Sequence, residues 1–146
     1  MNSYLNIYLV PRKEHMPEQK PLYLMQWSRN SEMYQVLKTA ANPTYIGTGD
    51  KMKYSDLTVQ NIDTAIRIVQ DNIAEWKKRI NARVEVINQL KNPTREILDD
   101  YIQDNMEDNA YVEELQDTLN ELQSLRNIIS DLQYSDFEKA VCNYDN

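Results

Sequence analysis

Residues 58–93 read TVQNIDTAIRIVQDNIAEWKKRINARVEVINQLKNP. Within them Val59, Ile62, Ile66, Val69, Ile73, Trp76 and Ile80 recur at alternating steps of three and four. A helix gathers side chains at this spacing onto one stripe, and a sustained stripe is the seam of a coiled coil. Arg83 interrupts the series, and Ile87 and Leu90 resume it. Thr58 supplies an N-cap, with Leu57 and Ile62 placed for a hydrophobic staple and Ser55 as the rival cap. The spacing predicts one helix from Thr58 to Leu90, about 50 Å long at 1.5 Å per residue.

Towards the C-terminus, Asn92-Pro93 ends this helix and starts another, with Asn92 as N-cap and Pro93 at the first helical position. Ile97, Leu98, Tyr101, Ile102 and Met106 carry the second seam, and Val112, Leu115, Leu119, Leu122, Leu125, Ile129 and Leu132 continue it. The polar patch Glu107-Asp108-Asn109 between them leaves continuity of this helix open. A short turn makes the two helices antiparallel, so residue i faces roughly residue 183 − i. Arg79 is then expected near Asp104 and Arg83 near Asp100, with Lys77 and Lys78 beside the same carboxylates. Ser135 and Glu138 match the S-x-x-E capping box, which predicts a short final helix through Val141.

Towards the N-terminus the period changes. Ser3 to Val10 alternates, with Leu5, Ile7 and Leu9 on one face, as in a half-buried strand. Leu22 to Trp27 reads as a second strand, paired to the first across the polar loop Pro11 to Pro21, which holds His15. Ser31 to Ala41 reads as a short helix ended by Asn42-Pro43. Lys51 to Tyr54 adds a third short strand. The expected fold is therefore α+β: a small head in residues 1–55 and a long antiparallel helical hairpin with a short C-terminal helix in residues 56–146, together forming one unit.

Composition narrows the chemistry. The chain has 146 residues with 2 Gly, 1 Cys and 1 His. One Cys excludes a disulfide framework and any zinc site with two thiolates. One His excludes multi-histidine metal sites, and a Ser-His-Asp or Cys-His site would have to use His15. Gly47-Thr48-Gly49-Asp50-Lys51 has the residues of a phosphate loop at the wrong spacing. Asp100, Asp104 and Asp108 recur every four residues, but the facing helix offers Lys and Arg instead of further metal ligands. No catalytic residue, metal or cofactor is assigned. Uncharged runs reach only about 11 residues, short of the ~20 that span a bilayer. Tyr4 to Val10 reads as mature structure, not a signal peptide. With Cys142 as the lone thiol, a cytoplasmic protein is expected.

The formal net charge of -7 is unevenly spread. Residues 1–55 hold 7 Lys/Arg against 4 Asp/Glu, a net of +3; residues 56–92 hold 6 against 5, a net of +1; residues 93–146 hold 3 against 14, a net of −11. Asp108, Glu113, Glu114, Asp117 and Glu121 form the core of an acidic docking face for a basic protein, nucleic-acid-binding proteins included. The plainer alternative is a solvated face that keeps the chain soluble. Direct nucleic-acid binding by this face is unfavourable. Tyr8, Tyr23, Trp27, Tyr34 and Tyr45 supply the rigid aromatic area typical of interfaces, the alternative being that strand tyrosines pack on the outer sheet.

Pro21-Leu22-Tyr23-Leu24, Ser28-Arg29-Asn30-Ser31-Glu32-Met33-Tyr34, Tyr54-Ser55-Asp56-Leu57-Thr58, Phe137-Glu138 and Cys142-Asn143 carry a resemblance across most of the chain. The layout resembles small uncharacterised proteins of tailed bacteriophages, with a short β-hairpin followed by a long helical hairpin. The resemblance implies a phage protein acting in the bacterial cytoplasm or in a particle, and it transfers no catalytic residue. Small acidic phage proteins of this kind are often inhibitors of host or defence machinery. The expected function is thus non-enzymatic: an accessory or inhibitor that binds a protein partner. The alternatives are an assembly component that self-associates through its hairpin as a homo-oligomer, and a small-ligand sponge with a pocket between hairpin and head.

Overall fold

The computed structural model describes residues 4–12, 20–41, 46–47 and 53–145. The N-terminal alternation forms β1 (Tyr4–Pro11), which pairs antiparallel with β2 (Leu22–Ser28). Leu5 lies opposite Trp27 and Ile7 opposite Met25; a register shift between Ile7 and Tyr8 then sets Tyr8 opposite Tyr23. α1 (Glu32–Ala41) follows, capped by the Ser31 hydroxyl, which accepts from the Tyr34 N–H at 3.1 Å. The two-residue β3 (Ile46–Gly47) and β4 (Lys53–Leu57) lead into α2 (Val59–Gln89). After the turn comes α3 (Arg95–Ser130), then a 3-10 turn over Leu132–Tyr134 and β5 (Phe137–Asp145). The sheet order is β2-β1-β5-β4-β3, with every neighbouring pair antiparallel.

The core lies between one face of this sheet and the three helices. Leu5, Ile7, Leu9, Leu57, Ala140 and Cys142 come from the sheet, Met33 and Leu37 from α1, Ile62, Ala65 and Val69 from α2, and Leu115, Leu122 and Leu125 from α3. The expected seam is present, since Ile62, Val69, Ile73 and Ile80 are buried and Val59, Ile66 and Trp76 are half-buried. α2 starts at the expected cap: Thr58 Oγ1 accepts from the Asn61 N–H, while the Asn61 side chain accepts from the Thr58 N–H. α3 runs unbroken through Glu107-Asp108-Asn109.

Three expectations are corrected. The cap of α3 is Thr94, whose Oγ1 accepts from the Ile97 N–H at 3.2 Å. Asn92 instead takes φ 51, in the left-handed region, inside the turn that follows the extended C-cap Leu90 of α2. Asn tolerates it, and the following proline disfavours right-handed helix at this position. The residues of the expected final helix form β5 instead. Ser135 does not cap a helix: its hydroxyl donates to the Leu132 carbonyl and accepts from the Phe137 N–H, closing a turn that aims the chain back along β1. β5 then lies between β1 and β4, so the last residues of the chain complete the head.

The third correction is the register of the hairpin. Arg83 pairs with Asp108, not Asp100, a shift of eight residues or about two turns. Arg79 bridges Glu75 on its own helix and stacks over the Trp76 ring at 4.9 Å. The reason lies at the other end of the hairpin. β4 feeds α2 and α3 feeds β5, and Leu57 is paired to Ala140 in the sheet. That pairing brings the start of α2 beside the end of α3, where Arg126 reaches Asp63. Alignment is thus set by the sheet, and α3, with 36 residues against 31 in α2, projects beyond its partner at the turn.

Candidate protein-interaction surface

Glu113, Glu114, Asp117 and Glu121 are all exposed on α3. Asp108 is not part of this face: its side chain is 16% exposed and is held by the Arg83 guanidinium. The acidic segment's own cations do little to neutralise the face. Arg126 turns to Asp63 on α2, Lys139 bonds Asp56 on β4 at 3.1 Å, and Arg95 meets Asp99 at the far end of α3. Two of its three cations therefore compensate carboxylates outside the segment.

The aromatic candidates separate. Trp27, on the sheet face that meets the helices, donates its indole N–H to Glu121 Oε2 at 3.2 Å and stands beside the acidic face. Tyr8 and Tyr23 occupy the opposite sheet face, where the Tyr8 ring makes edge contacts with Tyr23 at 5.9 Å and Tyr54 at 5.3 Å. Strand alternation places them there, because Tyr8 is out of phase with buried Leu5, Ile7 and Leu9. Tyr34 is a core residue of α1, 3% exposed, and offers no surface. Tyr45 and His15 lie outside the described residues. The structure therefore joins Trp27 to Glu121, with Glu113, Glu114 and Asp117 exposed on the same helix, and sets the other candidates apart.

Several organising residues carry no motif. Arg126 donates to both carboxylate oxygens of Asp63 and holds that carboxyl below its usual range. Tyr111 donates to Glu32 at 2.7 Å and stacks beside Trp76 at 5.0 Å; burial first, and then the Glu32 carboxylate, push its phenol up to about 12. Arg12 donates to the Ser135 and Leu132 carbonyls, fastening the turn before β5. The one available signal was Arg126, a lone cation in the acidic half of α3.

A cleft of about 390 Å³ opens where Leu57 and Thr58, Ile129 and Lys139 come together, close to where a pocket between hairpin and head was expected. Among the described residues, no group of three or more His, Cys, Asp or Glu is placed to hold a metal ion. Among them, too, no helix is long and apolar enough to cross a membrane. The Cys142 thiol is buried against the Ser55 hydroxyl at 3.1 Å. Comparison with protein-family models, curated proteins and solved structures finds no match for this chain.

Proposed function

We propose that this chain is a non-enzymatic binding protein that docks a basic protein surface on the acidic face of α3, with Trp27 at the edge of the contact. The observation that carries the reading is the Trp27–Glu121 contact, which sets an aromatic side chain at one end of a row of exposed carboxylates, Glu113, Glu114, Asp117 and Glu121, on α3. Aromatic side chains supply contact energy, and a field of one sign steers the encounter. The resemblance to small phage proteins favours an accessory or inhibitory role, with a host or defence protein as target.

The test is capture from a bacterial lysate at low and high salt, with Glu113→Gln, Glu114→Gln, Asp117→Asn and Glu121→Gln combined as the control. A partner retained by the native chain, lost with the neutralised chain and released steeply by salt is the expected result. Salt-insensitive capture shared by both chains would sink the acidic-face reading.

A second reading, an assembly component that self-associates through its hairpin, is favoured by a different observation. The end of the hairpin away from the sheet exposes Val86, Leu90, Ile97, Leu98, Ile102 and Met106.

A further inference from the structure

β2 stands first in the order β2-β1-β5-β4-β3 and pairs only with β1 among the described residues. A strand with one neighbour turns its other row of N–H and C=O groups outward, as a template for a further strand. Besides the ladder to β1, the only backbone group of Leu22–Ser28 with a partner among the described residues is the Ser28 carbonyl. It accepts from the Ser31 N–H at 3.0 Å and from the Ser31 hydroxyl at 2.9 Å. Edges are normally guarded by charge or proline, and Leu22–Ser28 contains neither. The register shift leaves Leu24 without an opposite residue, so the regular part of the edge is Met25 to Ser28, the end that carries Trp27.

That end meets the acidic row. Trp27, next to last in β2, bonds Glu121, and Asp117 and Glu113 follow on the same stripe of α3 at steps of four. None of these carboxylates is in an ion pair among the described residues. One cation, Arg29, follows β2 in the chain. β2 itself holds no Lys or Arg, so a second copy adding its own β2 would leave Glu121 and Asp117 unmatched.

We infer that β2 takes an added strand from a basic partner: an extended segment whose backbone pairs with the outward groups of Met25 to Ser28, and whose end beside Trp27 carries lysine or arginine that meets Glu121 and Asp117. The inference rests on the acidic-face reading above and gives the partner a conformation, because an extended chain is what matches the donor and acceptor spacing of a strand edge. Met25 and Trp27, opposite buried Ile7 and Leu5, offer apolar neighbours to its side chains on the helix side of the sheet.

The probe is the most enriched peptide from a displayed library of random decapeptides selected on the full chain. Its expected sequence alternates apolar residues and has lysine or arginine at one end. On binding, alternate amides of residues 22–28 should exchange with solvent about tenfold more slowly or better, read by NMR. The chain carrying Glu113→Gln, Glu114→Gln, Asp117→Asn and Glu121→Gln should bind it about tenfold more weakly. Methylating every second peptide nitrogen should abolish binding in one phase and spare it in the other, because one set of peptide N–H groups faces β2. A probe bound without new protection in β2, or weakened alike by methylation in either phase, overturns strand addition and leaves the acidic-face reading standing. A probe that protects β2 but binds the neutralised chain equally well overturns the acidic-face reading and the basic end with it. A library that yields no binder overturns strand addition, and the lysate capture above still decides the acidic face. Protection of the same amides in the chain alone, rising with its concentration, gives the edge to a second copy and overturns the basic partner.

Discussion

Tyr111 sits where three elements meet. Its hydroxyl reaches Glu32 on α1 and its ring lies beside Trp76 on α2, so one side chain of α3 ties both other helices. The phenol donates that hydrogen bond only while protonated, and its ionisation is pushed up to about 12 in the folded chain. In the unfolded chain the phenol ionises near its ordinary value of 10.0. Between those two pH values the unfolded state has lost a proton that the folded state keeps. The stabilisation is therefore complete below pH 10.0 and is lost as pH rises towards about 12. Tyr111→Phe should flatten this part of the stability–pH curve measured by urea unfolding; an unchanged slope would remove Tyr111 from the account. Asp63 runs the other way: its carboxyl is lowered by Arg126, so what it contributes is present above the usual carboxylate range and fades in acid. Neither pairing was legible in the sequence, because each joins residues more than sixty positions apart and neither Tyr nor Arg advertises its partner.

The helices themselves were legible. Steps of three and four marked the α2 seam, and Thr58 marked its start, because caps and seams depend on residues within a turn of one another. The turn between the helices was harder to read, since Asn92, Pro93 and Thr94 are all good boundary residues. The observed φ of 51 at Asn92 decides among them. Asn92→Gly removes the side chain that opposes this conformation and should raise stability by up to about 1 kcal/mol, while Asn92→Ala should lower it by about 1–2 kcal/mol. Thermal unfolding of the pair checks this; equal melting temperatures would mean that the left-handed turn is not populated. At the C-terminus a genuine local signal misled. Ser135-x-x-Glu138 fits a helix start, yet Ser135 closes a turn and Phe137–Asp145 extends. Ala140 and Cys142 are paired with Leu9 and Ile7, and burial against distant neighbours outweighed a capping motif worth about 1 kcal/mol.

For the molecule as a whole, β5 is the closure. It is the last strand in the chain, yet it lies between β1 and β4 and brings Ala140, Val141 and Cys142 into buried positions. A chain ended at Tyr134 leaves β4 without its link to β1 and opens one side of the core. It should lose cooperative unfolding while keeping much of its helical circular dichroism, whereas a sharp transition at the native temperature would show that the sheet closes without β5. The same closure accounts for the hairpin's offset and for what stands exposed at its far end. The sequence by itself determined that there are two long amphipathic helices, where the first begins, that a strand pair precedes them, and that the negative charge gathers in the last third. Those properties follow from side-chain period and local capping, which act within a few residues. Only the tertiary structure decided the sheet order, the strand at the C-terminus, the helix register, and that Trp27 meets Glu121. Each of these depends on contacts between distant segments, where burial of a shared core selects one alignment from several that local patterns allow.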